Sequence, residues 1–410
     1  MRVVVIGGGV IGLLAAHYLR KSGAEVTVLE RGRAGAACSS GNAGWITPSI
    51  ALPLPAPGLR LQSLGWMLRA DSPLYIKPTA VPHLLGFLMR FWKYCNVRHF
   101  QAGTEAFAGL GADSIALYDE LEADGLSFES HNDGLLMVFR ETATLEEEKR
   151  LLDGLKYGPI RVLGADEVHE LEPALAPDIV AGLHVLPERT VRPEAVCASV
   201  AEHLRVRGVR IEEDCEVGSF QFEGARARAV DIGGTQVEAD AFLIATGAEA
   251  ARLAGQCGSR LPLQAGKGYS ITVSEPEVAV RHPLYLGEAK AGITPFDGAL
   301  RIAGTMELSG INLDLDPRRI AALARAAERE VPGSTAGSAS VEWVGMRPIT
   351  PDGVPILGAL PTCHNVFAAT GHQMLGLTLA PSTGKVMAEL ILEGHTELDL
   401  APFDPGRFGR

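Results

Sequence analysis

One segment reads Val3-Val4-Val5-Ile6-Gly7-Gly8-Gly9-Val10-Ile11-Gly12, and it decides the fold. Its first four residues are β-branched and apolar, which is typical of a parallel strand buried on both faces. The glycines that follow have the spacing G-x-G-x-x-G, and apolar residues then recur at helical spacing as far as Leu19. The segment therefore predicts a strand, a tight turn and a helix.

Each glycine of this turn has a separate physical role. Gly7 permits the sharp change of direction, Gly9 lets the backbone approach a pyrophosphate, and Gly12 lets the helix pack closely on the strand. The amides of Val10 and Ile11 open the helix, where the positive end of the helix dipole attracts phosphate. The turn therefore predicts a dinucleotide-binding site.

An acidic residue stands where such a site needs one. Glu25 to Leu29 is predicted as a second strand, and Glu30 follows it, about 20 residues after the glycines. A carboxylate there accepts hydrogen bonds from a ribose diol and repels a 2′-phosphate. We assign Glu30 and the adjacent Arg31 to cofactor binding.

The continuation of the chain favours FAD over NAD. Residues 37–44 are small or hydroxyl-bearing rather than a third strand, and they suit backbone contact with a long ligand. The sheet resumes only at residues 240–248, whereas NAD-binding domains run straight on into further βα units. This layout is typical of flavoprotein folds, although residues 245–247 are also compatible with an ordinary strand exit. The cofactor-binding residues assigned here are Ser39, Ser40, Asn42, Ala43, Gly44, Thr246 and Gly247.

Composition excludes several classes of function. The chain of 410 residues has a formal net charge of -12, so it lacks the basic surface that a nucleic-acid-binding protein needs. Its six cysteines are scattered without metal-ligand spacing, which argues against a metal site and for reduced thiols. The first apolar run ends at Gly7, too early for a signal peptide, and no stretch is long enough to span a membrane. We therefore expect a cytoplasmic protein.

Periodicity predicts two domains that alternate along the sequence. A Rossmann-like FAD-binding domain is predicted from residues 1–50, 165–260 and 340–410, and a mixed-sheet substrate-binding domain with a helical insertion from 51–164 and 261–339. The insertion carries an apolar helical stripe that includes Leu84, Leu85, Leu88 and Met89, with basic residues nearby. Such a stripe is typical of a buried face, and it is also compatible with peripheral docking on a membrane.

Two motifs near the carboxyl end resemble a known superfamily. Residues 343–358 contain Met346-Arg347-Pro348-Ile349-Thr350-Pro351-Asp352-Gly353, and residues 365–384 contain Thr370-Gly371-His372 and Gly376-Leu377-Thr378. Together with the glycine turn, residues 39–44 and Lys267-Gly268-Tyr269, they are similar to the FAD-dependent amino-acid oxidase superfamily, and most of all to bacterial D-amino acid dehydrogenases. The resemblance implies an amino-acid-oxidase-like α/β fold over nearly the whole chain.

The resemblance also implies roles for individual residues. Arg347 is expected to bind the substrate carboxylate, which agrees with the planar, bidentate and permanently charged guanidinium. Tyr269 and His372 are expected to line the substrate pocket, and a structural role stays open for both. The residues expected to contact FAD are Val217, through its backbone beside the adenine, and Gly345, Gly371, Gly376, Leu377 and Thr378, near the flavin. Gly345 stands where the related sarcosine oxidases carry a cysteine bonded to the flavin, so FAD is expected to be non-covalent.

The implied reaction is oxidative deamination of D-amino acids. Hydride passes from the α carbon to flavin N5, and the imino acid hydrolyses to a 2-oxo acid and ammonia. The electron acceptor is expected to be a quinone or another carrier, or oxygen. Two alternatives stay open: a glycine, sarcosine or D-proline type of oxidase that uses oxygen, and an FAD-binding subunit of a larger dehydrogenase complex.

Overall fold

The computed structural model describes residues 1–59, 74–153 and 159–409. The predicted substrate-binding segment 51–164 therefore lies partly outside the described residues. The strands are β1 (Arg2–Ile6), β2 (Glu25–Leu29), β3 (Trp45–Ile46), β4 (Leu74–Ile76), β5 (Ser130–His131), β6 (Leu135–Phe139), β7 (Ile160–Gly164), β8 (Ala181–Val185), β9 (Arg189–Val191), β10 (Arg210–Glu212), β11 (Ser219–Glu223), β12 (Arg226–Ile232), β13 (Thr235–Glu238), β14 (Ala241–Ile244), β15 (Gln264–Ser274), β16 (Leu284–Leu286), β17 (Ala291–Phe296), β18 (Ala299–Leu308), β19 (Ala339–Ile349), β20 (Ile356–Leu360) and β21 (Cys363–Thr370). The helices are α1 (Val10–Lys21), α2 (Val81–Tyr94), α3 (Val97–Gly111), α4 (Ser114–Ala123), α5 (Thr142–Asp153), α6 (Ala165–Leu171), α7 (Pro193–Val206), α8 (Ala250–Gln256), α9 (Pro317–Glu330) and α10 (Gly376–Glu393).

A six-stranded sheet carries the glycine turn. Its order is β10-β2-β1-β14-β21-β20, and all neighbours are parallel except β20, which runs antiparallel to β21. The strands β1 and β14 are almost wholly apolar because both faces of the sheet are covered, one by α1 and α10 and the other by the β11-β12-β13 sheet and α8. Helix α10 lies against α1, and a Cβ built on Gly384 would meet the backbone of Leu14 at 2.7 Å. This layer brings the glycine turn and the start of α10 to the same edge of the sheet.

A large mixed sheet forms the second layer. Its order is β19-β15-β18-β17-β16-β6-β8-β7, and β4 pairs with β18. Helix α9 packs on one face through an apolar cluster that contains Ile320 and Leu323. The smaller sheets are β11-β12-β13 and β3-β9-β5. The structure therefore confirms the predicted α/β architecture with a separate mixed sheet.

Two strands that lie within the predicted FAD-binding segments pair in the mixed sheet. β8 lies between β6 and β7, and β19 pairs with β15 along its full length. Helix α3 begins at Val97, where the Asn96 side chain caps the amide of His99.

The apolar stripe of α2 has two different faces. Leu84 and Leu88 are buried in a cluster with Met306 and Ile349 of the mixed sheet. Leu85 and Met89, by contrast, are 50% and 57% exposed. Within the described ranges, none of the helices is both long and apolar enough to cross a bilayer.

Candidate FAD and substrate site

The glycine turn is sterically closed except at one point. Gly7 has φ +107°, and a Cβ added there would lie 2.5 Å from the Ala245 carbonyl oxygen. A Cβ on Gly12 would overlap the Gly7 carbonyl oxygen, so α1 can pack this closely only with glycine. At Gly9 the nearest atom to an added Cβ is Ser39 Oγ, 3.5 Å away. The turn therefore leaves space beside Gly9, at the amino end of α1, where a pyrophosphate fits.

Glu30 is buried at the end of β2 and bonds to the backbone on both sides. Its Oε2 accepts from the Gly8 amide at 2.7 Å, and its Oε1 accepts from the Gly32 amide at 2.9 Å. A carboxylate has about four acceptor positions, so a ribose diol can still be bound. The neighbouring Arg31 instead turns outward to form an ion pair with Glu249 at 2.6 Å.

We expect Glu30→Ala to weaken FAD binding by at least about tenfold, because each lost hydrogen bond to a charged group contributes roughly 1.5–3 kcal/mol. The apoprotein should also melt at a lower temperature, since two backbone amides lose their acceptor. Fluorescence titration of apoprotein with FAD and thermal melting measure the two effects. Glu25→Ala, at the exposed start of the same strand, is the matched control, and an unchanged Kd in Glu30→Ala would contradict the assignment.

Residues 39–44 are held in place from three directions. Ser39 Oγ accepts from the Val10 amide at 3.1 Å, and the Asn42 side chain bonds to the Met374 carbonyl and the Gly44 amide. The guanidinium of Arg301 donates to the carbonyl oxygens of Ser40 and Asn42, both at 3.0 Å. Arg301 was not among the predicted site residues, although a charged residue inside an apolar strand is an available signal for a buried polar contact.

Arg347 lies on β19 with its guanidinium over Gly268 of β15. A Cβ built on Gly268 would overlap the guanidinium carbon and nitrogens, so the arginine occupies the space that a side chain there would take. Nη1 donates to the Thr305 carbonyl at 2.6 Å. Across the described ranges, no carboxylate pairs with this guanidinium, and burial lowers the pKa of Arg347. A partly buried guanidinium without a carboxylate partner among the described residues is suited to bind an anionic ligand.

Small residues form the sheet surface beside Arg347. Trp343, Ser270, Ala303 and Gly292 are consecutive partners across four strands and therefore share one face. The Trp343 ring covers Gly345 and Gly41, while the Trp45 ring covers Gly292 and donates to Thr294 Oγ1 at 2.8 Å. Two tryptophans thus stand at the ends of a floor of small side chains, on the face that meets residues 39–44.

Tyr269 lies on the opposite face of β15. Its side chain is 1% exposed and packs in the cluster beneath α9, and its hydroxyl donates to Glu307 Oε2 at 2.7 Å. Successive strand residues point to opposite faces, so Tyr269 and the Arg347 guanidinium over Gly268 are separated by the sheet. The expectation that the Tyr269 hydroxyl orients the substrate does not agree with this geometry.

His372 bonds to α10 rather than standing free. Its Nε2 lies 3.0 Å from Thr383 Oγ1, and burial lowers the pKa of His372 to about 3, so the ring is neutral. These contacts give His372 a structural role between Gly371 and the last helix. The backbone N–H of the adjacent Gln373 donates to the Pro348 carbonyl at 3.0 Å. The loop therefore connects the strand of Arg347 directly to the start of α10.

The amino end of α10 approaches residues 39–47. Thr378 Oγ1 accepts from the Thr47 amide and donates to the Trp45 carbonyl, both at 3.1 Å, and Tyr118 donates to the Leu377 carbonyl at 3.0 Å. The first amides of an α-helix lack intrahelical acceptors. Those of Gly376, Leu377 and Thr378 can therefore stabilise negative charge on a ligand beside them.

Three further residues predicted to contact FAD lie at two places, the end of β14 and the segment after β10. The Thr246 hydroxyl is buried and has no partner within the described part of the chain, while the Gly247 carbonyl accepts from Thr370 Oγ1 at 2.8 Å. The carbonyl of the buried Val217 accepts from Arg252 Nη2 at 2.8 Å. An unpartnered buried hydroxyl next to the glycine turn is what a polar ligand bound there would satisfy.

Comparison with known proteins agrees with this layout. The model of the DAO family, described as FAD dependent oxidoreductase, matches residues 2–390. The chain belongs to this family. The match confirms the resemblance to the amino-acid oxidase superfamily, and FAD as the cofactor.

Solved structures extend the likeness over the whole chain. A glycine oxidase from Geobacillus kaustophilus is 25% identical, with 99% of each chain covered and a TM-score of 0.77. An iminodiacetate oxidase from Chelativorans sp. BNC1 is 23% identical, covering 98% of this chain and 99% of its own, with a TM-score of 0.75. An L-α-glycerophosphate oxidase from Mycoplasma pneumoniae, solved with FAD bound, is 19% identical, covering 98% and 97%, with a TM-score of 0.72. The fold is thus shared by enzymes whose named substrates differ.

The residues present fit FAD. The space beside Gly9 is open for a pyrophosphate, and the Glu30 carboxylate at the end of β2 keeps acceptor positions that a ribose diol could use. The unpartnered Thr246 hydroxyl and the first amides of α10 offer donors along the same edge of the sheet. These groups come from three separated parts of the sequence.

Proposed function

We propose that this FAD-dependent oxidoreductase oxidises small amino acids at the α carbon, with D-amino acids as its substrates. The observation that carries the proposal is Arg347, a partly buried guanidinium that no carboxylate of the described residues neutralises. The glycine and iminodiacetate oxidases of similar fold act on small amines with carboxylates, according to their names. The D configuration is supported by the resemblance of residues 343–358 and 365–384 to D-amino acid dehydrogenases.

In this proposal the protein binds and orients, and the cofactor supplies the redox chemistry. Bound FAD provides the hydride acceptor. Arg347 holds the substrate carboxylate through a bidentate pair, and the Thr305 carbonyl fixes the plane of the guanidinium. Trp45 and Trp343 exclude water from the floor of small residues between them. The imino acid product then hydrolyses to a 2-oxo acid and ammonia, which requires no further residue of the site.

The deciding experiment is a substrate panel with the purified holoenzyme. D- and L-amino acids, glycine and sarcosine are compared, each with a redox dye, a quinone and oxygen as acceptor. We expect turnover of D-amino acids with dye or quinone. Preference for glycine or sarcosine with oxygen would favour the oxidase alternative, and L-selectivity would refute the assigned enantiomer. No turnover of any member would favour an electron-transfer subunit.

FAD is proposed to be bound without a covalent link. The cysteine that carries the covalent bond in the related sarcosine oxidases is replaced here by Gly345, and the Trp343 ring already fills the space that a side chain there would occupy. Acid precipitation should therefore release all of the yellow colour into the supernatant. Absorbance of the supernatant and pellet measures this, and flavin retained in the protein pellet would contradict the proposal.

Peripheral membrane docking is proposed for the outward face of α2. Leu85 and Met89 are exposed there, and Arg90 and Lys93 on the same helix are also exposed. Apolar side chains flanked by basic ones bind an anionic bilayer surface. The double variant Leu85→Glu/Met89→Glu should lose co-sedimentation with vesicles that contain phosphatidylglycerol at low salt.

Val206→Glu is the matched control, since Val206 is 78% exposed at the end of α7 and should be replaceable without effect. If the unmodified protein does not sediment with these vesicles, or if the double variant sediments equally well, this face does not bind membranes.

A further inference from the structure

The orientation of Arg347 depends on an unusual backbone conformation. Among the described residues, the one hydrogen bond of its side chain goes to the carbonyl of Thr305, at 2.6 Å. Thr305 has φ +63°, a left-handed conformation that is uncommon for any residue with a Cβ and is strained for a β-branched one. A strained residue keeps such a conformation only when its surroundings hold it there.

The strain belongs to a bulge between β15 and β18. Lys267 pairs with Glu307 and Tyr269 pairs with Gly304, so the two residues 305 and 306 stand opposite the single residue Gly268. The bulge turns the Thr305 carbonyl toward the guanidinium that lies over Gly268. Bulges of this kind redirect groups beside active sites.

A buried polar clamp lies directly behind this bulge. The Oε2 atom of Glu307 accepts a hydrogen bond from the Tyr269 hydroxyl at 2.7 Å, and its Oε1 atom lies 3.5 Å from Lys267 Nζ. The three side chains are 5%, 1% and 3% exposed, in the order Glu307, Tyr269, Lys267. Lys267 Nζ also donates to Asn312 Oδ1 and, at 3.0 Å, to the Asp314 carbonyl. The clamp thus joins both strands at the two ends of the bulge.

We propose that Glu307, held by Tyr269 and Lys267, is a positioning residue for substrate recognition. The clamp maintains the bulge, the bulge presents the Thr305 carbonyl, and that carbonyl sets the direction in which Arg347 offers its free edge to a carboxylate. Glu307 contacts neither substrate nor cofactor and acts through the backbone. The inference rests on the proposed function only in taking a carboxylate as the group that Arg347 binds.

The test uses holoenzyme variants and a probe that needs no turnover. Tyr269→Phe removes one hydrogen bond from Glu307, and Glu307→Gln removes its charge. Ile271→Val is the matched control, because Ile271 is buried on the same face of β15 outside the polar clamp. Perturbation of the flavin absorbance is titrated with acetate and with its uncharged analogue acetamide, and FAD affinity and Tm are measured in parallel.

We expect both clamp variants to bind acetate at least about tenfold more weakly, the factor that corresponds to roughly 1.4 kcal/mol. Affinity for acetamide and for FAD should stay unchanged, and Ile271→Val should match the unmodified protein in all three. For amino acid turnover, KM should rise more than kcat falls.

The inference would be overturned if the clamp variants lost acetamide affinity as much as acetate affinity. It would also be overturned if Ile271→Val lost acetate affinity to the extent that its Tm falls. If Glu307→Gln does not fold, Tyr269→Phe alone decides. If the two clamp variants weaken acetate binding as expected but the unmodified enzyme oxidises no amino acid, the proposed function fails while the positioning role stands.

Discussion

Arg347→Ala is expected to lower kcat/KM for amino acids by about 10² to 10³-fold. The guanidinium forms a charge-assisted, bidentate pair with the substrate carboxylate in an enclosed site, and breaking such a pair costs about 3–5 kcal/mol. Arg347→Lys should recover only part of the loss, because an ammonium lacks the planar fork. Steady-state kinetics with an amino acid and with the matching amine without a carboxylate measure the effect.

The comparison with the amine separates binding from folding. The unmodified enzyme should prefer the amino acid, and in Arg347→Ala that preference should collapse while FAD content stays the same. Arg260→Ala serves as the control, since Arg260 is exposed and its removal should change neither quantity. If Arg347→Ala keeps the preference, the residue is structural and another group holds the carboxylate.

Gly12→Ala is expected to abolish FAD retention during purification. The added Cβ would overlap the backbone carbonyl of Gly7, and because backbone cannot rotate away, α1 must shift relative to β1. That shift moves the amides at the helix start away from the pyrophosphate. The flavin-to-protein absorbance ratio measures the loss, and a lower Tm of the apoprotein should accompany it.

Two other glycines make the mechanism of this loss testable. Gly9→Ala places its Cβ in open space 3.5 Å from Ser39 Oγ, so the apoprotein should keep its Tm while FAD binding weakens. Gly86→Ala in α2 meets no atom within 4 Å and should affect neither property. A Gly12→Ala protein that keeps its full complement of FAD would show that the turn is not the cofactor site.

The sequence by itself determined the cofactor layer. Gly7, Gly9 and Gly12 act through sterics between residues close together in the chain, and a strand followed by a glycine turn has few other conformations. Glu30 was identifiable for the same reason, because its distance from the turn is set by one helix and one strand. The substrate-binding role proposed for Arg347 rests on its motif and on the chemistry of a guanidinium.

Only the tertiary structure decided which side chains face Arg347. Side chains alternate along a strand, so a shift of one residue in register sends Tyr269 to the other face, and the sequence of β15 alone does not specify that register. The bulge at Thr305 breaks the alternation of side chains in β18, and no residue type in that strand predicts a bulge at this position. Arg301 meets residues 40 and 42 through the same pairing of distant strands. These contacts join segments far apart in the chain, and they exist only once the strands of the mixed sheet have paired.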